Sequence, residues 1–202
     1  MLILCSNGLS SQTLRDALRL RLDGCCSAAL VVTADSEYKE RNYHVPRCTA
    51  ELETLGLTVT LFDIDTQAPA ALLSFDVVEF IGGNPFDLLD AIRRTNAAPV
   101  LRQLAEEKVL IGWSAAAFVF GPTLALVNRY SPEMNTVGLT DLAALALTQT
   151  EVLPHYSRFL QRFDRFEETC RAYEQERGVQ VIRLNDGDGV LLEGSRVILC
   201  RN

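Results

Sequence analysis

For most of its length the chain alternates short apolar runs with longer segments whose apolar residues recur every three or four positions. Leu2 to Ser6 predicts a strand, and Asn7-Gly8 a turn. Ser11 to Leu22 carries Leu14, Leu18 and Leu22 at helical spacing, the stripe of a helix that buries one face. Ala28 to Thr33 is apolar on both faces, as a parallel strand covered by helices on both sides should be. Glu37 to Leu55 is polar with scattered apolar positions, and Pro46 predicts a helix broken or started there. Leu57 to Phe62 predicts a third strand, and Asp63 to Leu73 a connection with a short helix at best. Val77 to Ile81 predicts a fourth strand, and Pro85 starts a helix through Phe86, Leu88, Leu89 and Ile92. Val100 to Glu107 predicts another helix, Val109 to Trp113 a fifth strand, and Ala115 to Phe120 the helix after it.

Beyond Leu126 the pattern is irregular. Asn128 to Asp141, with Pro132, Asn135 and Gly138, predicts a surface loop. Phe159 to Arg177 predicts one amphipathic helix whose stripe includes Phe163, Phe166, Cys170 and Tyr173. Val179 to Leu184, Gly189 to Leu192 and Arg196 to Cys200 predict short strands, the last two a hairpin. The alternation predicts an α/β fold: an open, doubly wound, mostly parallel sheet with helices on both faces and a short C-terminal hairpin, in a single domain over 1–202.

Composition narrows the partners. A formal net charge of -7, with no dense basic cluster, argues against nucleic acid. No apolar run reaches membrane-spanning length, and Met1 to Cys5 is too short and uncharged for a signal sequence. Six cysteines without a C-x-x-C pair suggest reduced thiols in a cytoplasmic protein, with no zinc spacing and no cofactor required.

The chemistry gathers at strand ends, where open α/β sheets place their ligands. Ser114 lies between an apolar strand and a helix-prone segment in the pattern G-x-S-x-A, where a tight turn would expose its oxygen. The same serine also fits a plain helix cap. A serine nucleophile needs a base. Of the two histidines, His155 follows Pro154 and is flanked by Tyr156 and Phe159, whereas His44 lies in a polar stretch and should face water. An imidazole base needs an acid to fix its tautomer. Asp186 is placed for that role, Asp188 could serve instead, and both also fit ordinary turn aspartates. The amides of Ala115 and Gly83 could bind an oxyanion. Asn84 is either a substrate-facing group or a helix cap.

Several segments together resemble peptidase E, the α-aspartyl dipeptidase family of serine peptidases. They are Val78 to Leu89 with its Gly82-Gly83-Asn84-Pro85 turn, Ile111 to Ala117, Leu4 to Asn7, Pro154-His155-Tyr156 and Leu184 to Gly187. The resemblance implies a fold related to class I glutamine amidotransferases. It also implies hydrolysis of short peptides, with an amino-terminal aspartate preference among the family's members. It assigns Ser114 as nucleophile, His155 as base, Asp186 as orienting acid where the family usually has glutamate, and Gly83 and Ala115 as oxyanion donors. Departures are Ile81 before the paired glycines, Ala116 two past the serine, Asn128-Arg129 where the family has Asn-Asp, and no Gly-Glu-Thr-Arg run after His155. Arg129 thereby becomes a candidate for a substrate carboxylate. The alternative is a catalytically silent relative that binds a peptide or metabolite.

Overall fold

The computed structural model describes residues 1–202. In chain order the first half comprises β1 (Leu2–Cys5), α1 (Gln12–Arg19), β2 (Ser27–Val31), α2 (Val45–Glu53), β3 (Thr58–Phe62), β4 (Val77–Phe80), α3 (Pro85–Arg94), α4 (Ala98–Glu107) and β5 (Val109–Trp113). The second half comprises α5 (Ala115–Phe120), α6 (Ala125–Tyr130), β6 (Glu151–Leu153), α7 (Tyr156–Arg162), α8 (Phe166–Arg177), β7 (Val181–Arg183), β8 (Gly189–Glu193) and β9 (Arg196–Cys200). The strand order of the main sheet is β3-β2-β4-β5-β1-β8-β9. Its first five strands are parallel, while β8 and β9 are antiparallel. This is the predicted mostly parallel sheet with its terminal hairpin.

Period-two alternation divides the strands between two cores. Leu2, Leu4, Val78, Phe80 and Leu110 share one apolar cluster with residues of α3 to α6 and α8. Ile3, Cys5, Val77, Ile81 and Ile111 face the other, with α1 and α2. Both faces are covered, which is why the central strands read as continuous apolar runs. No helix is long and apolar enough to cross a membrane. All six cysteines are free thiols.

Three expectations change. The helix predicted from Phe159 to Arg177 is broken: α7 ends at Arg162, and Arg165 takes a left-handed conformation (φ 48°) before α8 begins. The break lets Phe159, Phe163 and Phe166 converge on Tyr130, with ring centroids 5.1–5.7 Å from it. A straight helix would spread them along its axis. The strand expected over Val179 to Leu184 does not join the main sheet. It shortens to β7 and pairs in parallel with β6, a three-residue strand with no periodic signal. The expected loop from Asn128 begins inside α6 and continues as a 3₁₀ turn, Pro132–Met134.

Candidate active site

The turn at Ser114 follows from its neighbours. Gly112 lies under α5, where an added Cβ would sit 2.6 Å from the Phe120 ring. The helix can therefore pack directly behind the strand. Ser114 itself has φ 52° and ψ -111°, a conformation that costs a non-glycine residue about 1–3 kcal/mol. The surroundings hold it there: its N–H donates to the Cys5 carbonyl at 3.2 Å. Gly82 passes so close that a Cβ would lie 2.5 Å from the Trp113 ring and 3.0 Å from Ser114 Cβ. At Gly83 a Cβ would meet the Ala34 carbonyl oxygen at 2.1 Å.

The small sheet supplies the other two groups. Leu153 is in register with Arg183, and the pairing continues when Tyr156 N–H donates to the Leu184 carbonyl at 3.0 Å. The loop after β6 thus lies beside the loop after β7. His155 Nδ1 stands 2.6 Å from Asp186 Oδ1, and His155 Nε2 stands 3.0 Å from Ser114 Oγ. Asp186 can accept only from a protonated Nδ1, which leaves Nε2 as acceptor for the serine proton. Asp188 is held elsewhere: it accepts from Asn185 N–H, Arg201 and Asn202 N–H. The register thus puts Asp186, not Asp188, on the imidazole.

Ser6 was not anticipated. It is fully buried at the end of β1. Its hydroxyl accepts from His155 N–H at 2.8 Å and donates to Asp186 Oδ1 at 2.9 Å. The available signal was a serine at the carboxyl end of an apolar strand, too common to single out.

Burial lowers the His155 pKa more than its hydrogen bond to Asp186 raises it, so the imidazole sits below its ordinary value and is neutral at pH 7. Burial opposes the charge of Asp186, but hydrogen bonds and charge from His155, with Ser6 and Arg158, outweigh it and hold the acid low. A neutral imidazole beside an ionised acid is the state that can take a serine proton.

The three groups open on a cavity of about 400 Å³, within the size range of small-ligand pockets. Gly83 and Ala115 line it, and neither amide has a backbone acceptor in the protein. His44 does not face water as expected. It lines the same cavity, half-buried, with its ring 5.1 Å from Trp113 in an edge contact. Burial, then the charges of Arg47, His155 and Arg158, lower its pKa. Asn84 acts as the helix cap: its Oδ1 accepts from Phe86 N–H at 2.9 Å, and its Nδ2 donates to the Met134 carbonyl at 2.8 Å. Arg129, expected near a substrate, lies outside the cavity lining. Its guanidinium pairs with Glu176 and lies over Tyr173, joining α6 to α8. The basic groups lining the cavity are instead Arg158 and Arg162.

The profile of peptidase family S51 matches residues 2–200. The chain belongs to that family. An uncharacterized peptidase of Listeria monocytogenes serovar 1/2a is 30% identical over 173 residues, 82% of each chain. Peptidase E of Citrobacter koseri is 31% identical over 118 residues, which cover 58% of this chain and 50% of that protein. The crystal structure of a candidate peptidase E of Listeria monocytogenes EGD-e superposes with a TM-score of 0.75 at 27% identity, covering 100% of this chain and 98% of the other. A peptidase from an acI-B1 actinobacterium, 15% identical with a TM-score of 0.70 over 94% of this chain and 81% of its own, shares the fold. Family S51 membership supports a peptidase, as the resemblance implied.

Proposed function

We propose that this S51 member is a serine peptidase that cleaves short peptides through an acyl-enzyme. The observation that carries the reading is the continuous relay from Ser114 Oγ through His155 to Asp186, opening on a cavity. His155 Nε2 takes the hydroxyl proton as Ser114 Oγ attacks the scissile carbonyl. Negative charge grows on the carbonyl oxygen, toward which the amides of Gly83 and Ala115 donate. The imidazolium, stabilised by Asp186, then gives its proton to the departing amine. Water, deprotonated by the same imidazole, hydrolyses the ester and restores Ser114. The modest cavity volume supports a short substrate. Two arginines and no carboxylate in its lining support tolerance of an acidic first residue, including the aspartate that the resemblance suggests.

A fluorophosphonate probe tests the nucleophile: it should label the wild type and not the Ser114→Ala variant. A dipeptide panel with aspartate, glutamate and neutral first residues should show turnover that the same substitution abolishes. Equal turnover by both proteins would remove Ser114 from the mechanism. Absence of labelling and turnover in the folded wild type would favour a silent binding protein.

A further inference from the structure

At the mouth of the cavity beside Ser114 an aromatic ring stands in water. Tyr43 is 81% exposed, yet it lines that cavity. A ring so exposed contributes little apolar burial to the fold. It is nevertheless placed with order. The Tyr43 ring lies on the His44 imidazole, with centroids 3.9 Å apart and planes inclined at 38°. His44 in turn meets the Trp113 ring edge-on at 5.1 Å. The three rings form a row that leads from solvent to the residue before the nucleophile.

The backbone on either side of Tyr43 is tied down. Asn42 is buried; its Nδ2 donates to Asp35, and its Oδ1 accepts from His44 N–H at 2.7 Å. Upstream, Lys39 bridges Asp63 and Asp65, just past the end of β3. Downstream, α2 begins at Val45 with Pro46 in its first turn. A platform held in this way loses little freedom when a partner covers it.

The order of the reaction says which part of a peptide would cover the ring. Along an acyl-enzyme route the departing amine leaves first, while the acyl part stays on Ser114 until water attacks. The departing residue therefore belongs at the open end of the cavity and the acyl residue at the closed end. Phe118 and Val127, both buried, wall the closed end with Tyr130. Tyr43 and His44 form the open end, and His44 lies within reach of the charge of His155, the group that protonates the departing amine. We propose that Tyr43 and His44 form the subsite for the side chain of the residue after the scissile bond, and that it favours aromatic and large aliphatic side chains. An aromatic side chain laid on the Tyr43 ring can take the offset arrangement that such pairs prefer. This selection rests on the peptidase reading of Ser114 and leaves the choice of first residue to the closed end.

Dipeptides that change one position at a time test it: Asp-Phe against Asp-Ala, and Ala-Phe against Ala-Ala. With either first residue, kcat/KM should be on the order of fivefold higher for phenylalanine in second place. Tyr43→Ala should bring that ratio near one, and Tyr43→Phe should keep it, because the ring and not the hydroxyl carries the preference. A ratio near one in the wild type, or one that Tyr43→Ala leaves unchanged, would overturn the subsite and leave the peptidase reading intact. A Tyr43-dependent preference for Phe-Ala over Ala-Ala would put the ring on the acyl side and overturn it as well. Binding separates the site from the chemistry. Trp113 is the chain's single tryptophan and lines the cavity, so its fluorescence, with calorimetry in parallel, reports occupancy of Ser114→Ala protein. Asp-Phe should bind that protein more tightly than Asp-Ala, and adding Tyr43→Ala should close the gap. That pattern without turnover by the wild type would sink the peptidase reading and leave the subsite standing. Equal binding of the two peptides, or binding of neither, would overturn the subsite.

Discussion

Glu79 is an acid in the middle of β4, and it offers the sharpest quantitative test of the structure. It is fully buried, flanked in register by Leu30 and Ile111, and faces the core shared with α1 and α2. Neither carboxyl oxygen has a hydrogen-bond partner, and the nearby Trp113 indole N–H lies outside hydrogen-bonding geometry. Burial, reinforced by the charge of Glu51, pushes its pKa up to about 8 from an ordinary 4.5. Below pH 4.5 the acid is protonated in folded and unfolded chains alike and adds no pH dependence. Between 4.5 and 8 the unfolded chain releases a proton that the folded chain keeps, so stability falls as pH rises, by about 1.4 kcal/mol per unit. The accumulated loss is about 3 kcal/mol at pH 7 and about 5 kcal/mol above pH 8. Glu79→Gln removes this titration while keeping the shape. Urea unfolding of both proteins at pH 5, 6, 7 and 8 gives the difference in stability, in which unperturbed groups cancel. The advantage of the variant should grow by about 3–4 kcal/mol across that range. A difference independent of pH would show that Glu79 is ionised in the folded state or paired, and the buried-acid argument would be wrong.

Three further outcomes concern the site. Ser6→Ala leaves His155 N–H without its acceptor and Asp186 with one donor fewer, a loss of about 1–3 kcal/mol. The variant should lose roughly 10- to 100-fold in kcat with KM little changed; an equal rise in KM at constant kcat would point to substrate contact instead. The depressed pKa of His155 puts the acid limb of kcat/KM below about 6.5, with activity lost as pH falls through that limb. His44→Gln should leave the limb in place, and a limb above 7 would contradict the burial argument. Gly83→Ala brings a Cβ within 2.1 Å of the Ala34 carbonyl, so the turn must shift and carry its amide away. Fluorophosphonate labelling should slow by about 100-fold or more while circular dichroism remains native, and an unchanged rate would remove the Gly83 amide from oxyanion binding.

The central strands of the main sheet were legible because both of their faces are buried, so nearly every position is apolar. The turn at Ser114 was legible too, because a glycine, a serine and a run of alanines mark a strand giving way directly to a helix. The split after Arg162 was not. The aromatic spacing of Phe159, Phe163 and Phe166 suits a continuous helix, and only the convergence on Tyr130 favours a break. Arg129 was misplaced because its charge carries no address, and its partner Glu176 comes from a distant helix. His44 looked solvated because its sequence neighbours are polar, whereas what half-buries it is Trp113, brought over from β5.

The sequence by itself determined the strands of the main sheet and most of the helices between them, which faces are apolar, and that Ser114 stands at a sharp join, because neighbouring residues encode these features. It left Asp186 and Asp188 as equals and Ser6 without a role. The tertiary structure decided both. The parallel register of β6 and β7 brings His155 to Asp186, 31 residues later, and the end of β1 supplies a hydroxyl to both. Such pairings depend on how distant strands align, which no local preference specifies.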